Sequence, residues 1–257
     1  MEPHESVCDV KPFNPCVLIP VYNHEHAVGK VLEDVLRHNV ACVLVDDGSS
    51  TRCKQTLDAL QAENVGKITL IRHTSNRGKG AAVLTGMRYA AAAGFSHVLQ
   101  IDADGQHCTD DIPVFLQQSR EAPSAVIAGY PVYDESVPEL RFYARYLTHI
   151  WVWVNTLSMQ IRDSMCGFRV YPLGPTIRLI KSRPIRQRMA FDTDIIVRLF
   201  WEGVTVINQP TRIRYPSDGI SHFRMWADNV QISCMHASLF FGMLLKFPQL
   251  LRRKWGR

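Results

Sequence analysis

Short apolar runs alternate with stretches of helical periodicity along the first hundred positions. Residues 16–20 (Cys-Val-Leu-Ile-Pro) form one such run, ended by proline, which fits a buried parallel strand. A helical pattern follows over 25–37, with Val28, Val31, Leu32, Val35 and Leu36 at spacings of three and four. Residues 41–45 predict a second buried strand, and Asp46-Asp47-Gly48-Ser49-Ser50 a tight turn whose serines can cap the next helix. That helix is expected over 52–63, with Leu57 and Leu60 inward, then a third strand over 68–71. An alanine-rich helix over 81–93, small enough to pack close to a sheet, leads into a strand over 97–101. Strand, helix, strand, helix, strand is the signature of a parallel sheet with crossover helices. Further on, 124–129 reads as a fifth strand, 190–201 as a helix and 204–208 as a late strand. A long amphipathic helix is expected over 139–161, striped by Tyr143, Leu147, Ile150, Val154, Leu157 and Ile161.

Composition narrows the class without naming a function. The 257 residues, 46% hydrophobic and 21% charged, suit one large α/β domain or two small ones with a sizeable core. Seven scattered cysteines, an odd number with no Cys-x-x-Cys, argue for reduced thiols in the cytosol and against a zinc site. A net charge of +5 is mild and implies no nucleic-acid partner. No repeat or low-complexity linker divides the chain. The expectation is a flexible lead-in over 1–14 without a signal peptide. A single domain follows over 15–225, in two halves that meet at 105/106. An amphipathic basic helix is expected over 226–257. The apolar part of that last segment, 232–247, falls short of the ~20 residues that span a bilayer. With Lys246, Arg252, Arg253, Lys254 and Arg257 beside it, the segment fits a helix lying on a membrane surface, which places the protein peripherally on a cytoplasmic face. The same pattern also fits a final core helix with a solvated basic tail.

Candidate chemistry gathers where the predicted strands end, the edge at which such sheets bind ligands. Tyr22 and Asn23 follow the first strand, Asp46 and Asp47 the second, and Asn76-Arg77-Gly78-Lys79-Gly80 opens the third helix. After the strand at 97–101, Asp102, Asp104 and Gln106 stand at alternate positions, so that in an extended segment their oxygens point one way. Hard oxygen donors of this kind suit Mg2+ or Mn2+, and a polar turn is the plainer reading. The glycine-rich stretch at 76–80 fits a helix start whose amides and Lys79 lie near a diphosphate, or a simple cap. Arg141 and Arg145 sit one helical turn apart, as a phosphate grip or a solvated basic edge. Asp192 and Asp194 open a helix whose dipole favours carboxylates. Trp151 and Trp153 fit a core or a membrane interface.

Four of these pieces in order, Pro20-Val-Tyr-Asn23, Val45-Asp-Asp-Gly-Ser49, Asn76-Arg-Gly-Lys-Gly80 and Asp102-Ala-Asp-Gly-Gln-His107, resemble family 2 glycosyltransferases of the GT-A fold. The nearer likeness is to the branch that makes dolichyl- or polyprenyl-phosphate mannose and glucose. It implies a Rossmann-like mixed, mostly parallel sheet flanked by helices. It implies that Pro20, Tyr22, Val45 and Asp47 hold base and ribose of a UDP- or GDP-hexose, with Asp102 and Ala103 beside the donor. Asp102, Asp104 and Gln106 would hold a Mg2+ or Mn2+ on the diphosphate, Asp104 nearest the reaction. Arg141 and Arg145 would bind the lipid phosphate, the stretch from Asp163 through Gly167-Phe168-Arg169 would underlie the acceptor site, and Arg214 and His222 would close over the diphosphate. Asp194 best matches the general base of relatives that glycosylate hydroxyls. The chain departs from the pattern at His24, Gly105 and Pro131, where the branch commonly has glutamate, leucine and arginine. The implied activity is metal-dependent, inverting hexose transfer to a polyprenyl phosphate. Transfer to a hydroxyl with Asp194 as base, and a non-catalytic membrane partner of the same fold, are the alternatives.

Overall fold

The computed structural model describes residues 12–132, 139–213 and 225–255 and, of residues 139–144, 225, 254 and 255, the backbone alone. The chain begins β1 (Pro15–Val21), α1 (Val28–Leu36), β2 (Ala41–Asp46), α2 (Thr51–Glu63), β3 (Ile68–Arg72), α3 (Lys79–Ala92) and β4 (His97–Gln100). A 3-10 turn at Thr109–Asp111 leads to α4 (Ile112–Glu121), β5 (Val126–Val132) and α5 (Glu139–Thr156). β6 (Arg169–Pro172), α6 (Leu173–Ser182), α7 (Phe191–Trp201), β7 (Val206–Arg212) and α8 (Met225–Trp255) complete the chain.

The strands form one seven-stranded sheet in the order β3-β2-β1-β4-β6-β5-β7. All neighbouring pairs are parallel except those of β6, which runs antiparallel to both β4 and β5. The chain leaves β1 for β2 on one side and later returns to β4 on the other, so the crevice at the carboxyl ends of β1, β2 and β4 is a topological switch point.

Residues of β1 alternate between two cores. Cys16 and Leu18 face a cluster shared with α3, α6, α7 and α8, while Val17, Ile19 and Val21 face one shared with α1, α2 and α4. Each of these aliphatic side chains is fully buried or nearly so, which stabilises the fold by roughly 1.5–3 kcal/mol apiece relative to exposure. Gly86 lets α3 lie directly on β1, since a Cβ there would come within 2.2 Å of Leu18.

Three elements had no counterpart in the periodicity: α4, α6 and β6. The last is four residues long and begins with the polar Arg169, so no apolar run announces it. The helix expected over 139–161 stops at Thr156, where Leu157 takes a φ of 51° and ends the hydrogen-bond ladder. β7 runs on to Arg212 through Pro210, which an edge strand tolerates because one side needs no ladder donor.

α8 lies where a helix over 226–257 was expected, and it differs in how far its apolar character extends. The apolar stretch expected over 232–247 is the middle of a helix of 31 residues, and 226–253 is long and apolar enough by composition to cross a membrane. One stripe of it, Met235, Leu239, Met243 and Leu250, is buried in the core cluster with Trp201 and Val204. Gly242 brings it within reach of the Trp201 ring, and Arg253 donates to the carbonyls of Phe200 and Trp201 at 3.0 and 2.9 Å. The basic tail is thus partly spent on closing the end of α7. The opposite stripe, with Phe241, Leu244 and Leu245, is exposed.

Candidate active site

The loops after β1 and β2 are tied to one another. Asn23 adopts φ 55°, its side-chain oxygen accepts from the Ser50 amide at 2.8 Å, and its own amide donates to Ser49 Oγ at 3.1 Å. Ser50 caps α2 by accepting from the Cys53 amide. Pro20 and Val45 are direct partners in the β1–β2 register and both are buried, and Tyr22, just past the end of β1, is half-buried.

Asp47 is 2% exposed and reaches across to the glycine-rich stretch. It accepts from the amides of Arg77 at 3.0 Å and Gly78 at 2.7 Å, and His73 Nδ1 lies 2.7 Å from its Oδ1. His73 Nε2 is in turn 2.9 Å from Thr85 Oγ1 on α3. Both oxygens of Asp47 therefore serve to shape the 76–80 turn. Gly78, at φ 104°, supplies a conformation that a side chain resists and sets Lys79 as the first residue of α3.

The strand β4 ends at Gln100, and Asp102 emerges beside Lys79. Lys79 Nζ lies 2.9 Å from Asp102 Oδ2 and 2.8 Å from Oδ1, and 3.0 Å from Asp192 Oδ2 at the start of α7. Gln100 Nε2 donates to the other oxygen of Asp192 at 3.0 Å. Below them Arg169, fully buried, donates to the Asp192 carbonyl at 2.5 Å. Burial alone would lower the Lys79 pKa, but the two carboxylates outweigh it and raise it. Burial would likewise raise that of Asp102, and Lys79 and His107 together hold it well below the usual carboxylate range. His107 Nε2 stands 3.6 Å from Asp102 Oδ2. Asp102 Oδ1, 2.8 Å from the Lys79 ammonium, accepts no aligned hydrogen bond among the described residues.

Asp104 and Gln106 follow on the same turn, both half-buried, with Asp104 Oδ1 accepting from the Gln106 amide at 3.0 Å. Ala103 between them is buried. The turn is anchored from behind: Gly105 has φ 73°, His107 bridges to Ile213 just beyond β7, and the Cys108 amide donates to the Arg212 carbonyl. Arg214 and His222, expected to close over a diphosphate, lie outside the described residues, as does Arg224.

Other expected residues are placed differently. Asp194 does not face this cluster. It is fully buried, ion-paired with Arg198 at 2.6 Å, and its Oδ2 accepts from the Arg186 amide at 3.0 Å. The carboxylate of α7 that joins the cluster is Asp192. Arg145 is spent on Asp163, at 2.6 Å, with His149 3.5 Å from the same oxygen. Asp163 in turn accepts from the amides of Met165 and Cys166 at 2.8 and 2.7 Å, holding the turn that carries Gly167. The side chain of Arg141 lies outside the described residues.

Gly167 lies against the cluster itself. A Cβ there would stand 2.7 Å from Asp102 Oδ2 and 2.8 Å from Lys79 Nζ. Gly167→Ala is therefore expected to displace Asp102 while leaving the fold intact. A displacement of this order costs on the order of tenfold to a hundredfold in rate. Steady-state kinetics beside a melting curve check this: kcat/KM falls while Tm stays within about 2 °C of the parent, since the change costs under about 1 kcal/mol of stability.

The sequence assigned no role to Gln100 or His107, and placed Arg169 only within the stretch under the acceptor site, not beneath Asp192. A polar side chain within an otherwise apolar buried strand, as Gln100 is, is the signal that marks them.

Residues 16–188 match the family described as Glycosyl transferase family 2. The chain is 24% identical over 231 residues to a polyprenol monophosphomannose synthase of Mycolicibacterium smegmatis, covering 84% of this chain and 82% of that one. It is 26% identical over 213 residues to a dolichyl-phosphate beta-glucosyltransferase of Mus musculus, covering 74% of this chain and 64% of that one. Among solved structures it superposes on the glucosyl-3-phosphoglycerate synthase of Mycobacterium tuberculosis, determined with Mn2+, UDP and phosphoglyceric acid. The TM-score is 0.64 at 14% identity, covering 90% of this chain and 78% of that one. That neighbour shares the mixed, mostly parallel sheet flanked by helices, the GT-A fold. With its sheet order, its polar cluster at the switch point and this match across two thirds of its length, the chain belongs to glycosyltransferase family 2 and is a glycosyltransferase.

Proposed function

We propose that the enzyme moves a hexose from a nucleotide diphosphate sugar onto the phosphate of a polyprenyl lipid, with inversion and with a divalent cation. The observation that carries this reading is Asp102. It is an ionised carboxylate at the carboxyl end of β4, beside the switch point, with one oxygen accepting no aligned hydrogen bond among the described residues. The relatives' printed activities, polyprenol monophosphomannose and dolichyl-phosphate glucose synthesis, support the acceptor class.

The donor set fits a Mg2+ or Mn2+ ion that arrives with a diphosphate. Asp102, Asp104 and Gln106 offer hard oxygens, while no group of three or more His, Cys, Asp or Glu among the described residues forms a closed cage. Such an ion, when bound, neutralises the charge that develops on the departing diphosphate. The protein's part is orientation. Pro20 and Val45 form an apolar floor for the base, and Tyr22 stands beside it. Asp47, its oxygens engaged by Arg77, Gly78 and His73, acts on the nucleotide through the 76–80 turn that it shapes. A phosphate acceptor arrives already ionised, so the chain has no proton to remove from it.

The runner-up reading, a hydroxyl acceptor with Asp194 as base, asks that residue to leave both Arg198 and the Arg186 amide. Asp194→Asn separates the two. Lowered thermal stability with kcat within about threefold of the parent is expected for a phosphate acceptor. Loss of about 10²-fold or more in kcat supports a base. The primary test offers radiolabelled UDP-glucose, UDP-N-acetylglucosamine and GDP-mannose in turn with Mn2+ and polyprenyl phosphate. Label entering the organic phase is expected; metal-dependent donor hydrolysis without it would reject this acceptor.

The lipid is met, in this reading, at a cytoplasmic membrane surface. Its support is an exposed apolar face shared by two packed helices: Leu147, Ile150, Trp151 and Val154 of α5, and Phe241, Leu244 and Leu245 of α8. Trp151 packs edge-on against Phe240, joining the two. Arg252, exposed near the end of α8, adds positive charge for anionic head groups.

A further inference from the structure

Lys79 occupies the position at which the site most needs positive charge. Its ammonium lies within 3.0 Å of oxygens on both Asp102 and Asp192. Those carboxylates come from the turn just after β4 and from α7, and the lysine from the first turn of α3. Nothing about the lysine is loose. Gly78 sets its backbone, the Ala81 amide donates to the Gln187 carbonyl, and Gly80 is pressed against Phe191 so closely that a Cβ would meet it at 2.5 Å. The segment that delivers Asp192 is therefore the one that clamps Lys79. Asp192 is also held by Gln100 and stands over Arg169. Lys79, Asp102 and Asp192 form a buried or half-buried group with a net charge of −1, which the buried Arg169 beneath Asp192 brings to neutrality with no ion added.

We infer that Lys79 is an internal counter-cation that keeps Asp102 from binding a divalent ion by itself, so that the ion enters only together with the nucleotide diphosphate. The physical reason is competition. A divalent ion approaching Asp102 alone meets the ammonium at contact distance and must displace it at the cost of two short ion pairs. A diphosphate brings its own negative charge, which both draws the ammonium away and completes the ion's oxygen shell, since no closed cage of acidic or histidine ligands exists among the described residues. Metal and nucleotide affinities are then coupled, and by linkage each raises the other by the same factor. This inference rests on Asp102 being the metal-bearing carboxylate.

The test is Mn2+ binding, followed by the electron paramagnetic resonance signal of the free ion and by calorimetry, on the full chain. Mn2+ is titrated alone and then in the presence of UDP or GDP. The parent is expected to bind Mn2+ alone only weakly, and the nucleotide that proves to be a ligand to tighten it by at least about tenfold. Lys79→Met is expected to bind Mn2+ alone at least about tenfold more tightly than the parent and to lose most of the coupling. Tight Mn2+ binding by the nucleotide-free parent, or a Lys79→Met protein whose metal affinity is unchanged or lower, overturns the inference. The first arm needs no variant, so a Lys79→Met chain that fails to fold leaves the question answerable. Asp102→Asn distinguishes the two layers. If it binds Mn2+ with nucleotide as the parent does, the assignment of the metal to Asp102 fails. If it loses that binding while Lys79→Met shows no gain, only the role of Lys79 fails.

Discussion

Asp102→Asn is expected to lower kcat/KM for sugar transfer by about 10²- to 10³-fold, the loss typical when one preorganised charge is removed from a site where charge develops. Two effects add. The asparagine is a neutral, weaker ligand for the cation that the diphosphate brings. It also leaves the Lys79 ammonium, 2.8 and 2.9 Å from the original carboxylate oxygens, with Asp192 as its remaining carboxylate. The ammonium then leans toward α7 and away from the donor. Because Asp102 keeps a pKa below the usual carboxylate range, the parent's dependence on it is flat through neutral pH. The sign follows from that direction: the charged form persists down to acidic pH, and activity that needs it falls only as pH drops through the depressed value. Steady-state transfer kinetics for parent and variant across several Mn2+ concentrations check the prediction. A variant within threefold of the parent at every concentration would remove Asp102 from the chemistry.

Asp47→Ala is expected to be the most destabilising single change in the first half of the chain. The carboxylate is 2% exposed and accepts from two backbone amides and from His73. Its removal strands those donors in a place water does not readily reach. Breaking a buried charged network by deleting one partner costs about 3 kcal/mol or more. For a domain of this size that corresponds to a fall in Tm of roughly 6–12 °C. Function should fail with it, since the amides of Arg77 and Gly78 lose the acceptor that shapes the start of α3 and sets Lys79. Thermal melts and nucleotide binding by calorimetry report the two losses separately. A melt unchanged from the parent would mean that the turn holds its shape without Asp47.

Local pattern carried much of the first half. Cys16 to Pro20 and Ala41 to Val45 are apolar runs ended by proline and by acidic residues, and both are buried strands that pair in parallel with each other. The polar groups after each strand do converge, because parallel strands in one sheet end at one edge. The second half was harder to read. β6 is short and its first residue is an arginine, which the fold buries completely by giving it the Asp192 carbonyl and the Tyr171 hydroxyl as neighbours. A helix was expected over 226–257, where α8 runs from Met225 to Trp255; what the pattern did not show is how one of its stripes packs on α5 and α7.

The strand–helix alternation, the switch-point edge and the order of Tyr22, Asp47, Lys79 and Asp102 along it follow from local pattern alone. Period-two burial and the stops imposed by proline, glycine and paired acids are local properties, readable from neighbours in the chain. The choice between Asp192 and Asp194 is made by packing. Residues two apart on a helix point about 200° away from each other, so one of the pair must turn from the site, and which one depends on how α7 is rotated against the sheet. That rotation is set by Phe191 packing on Gly80 and by Arg198 and the Arg186 amide capturing Asp194. The same packing carries Asp192 to Lys79 and commits Arg145 to Asp163. Charges distant along the chain become partners when the core closes, and a linear pattern has no term for them.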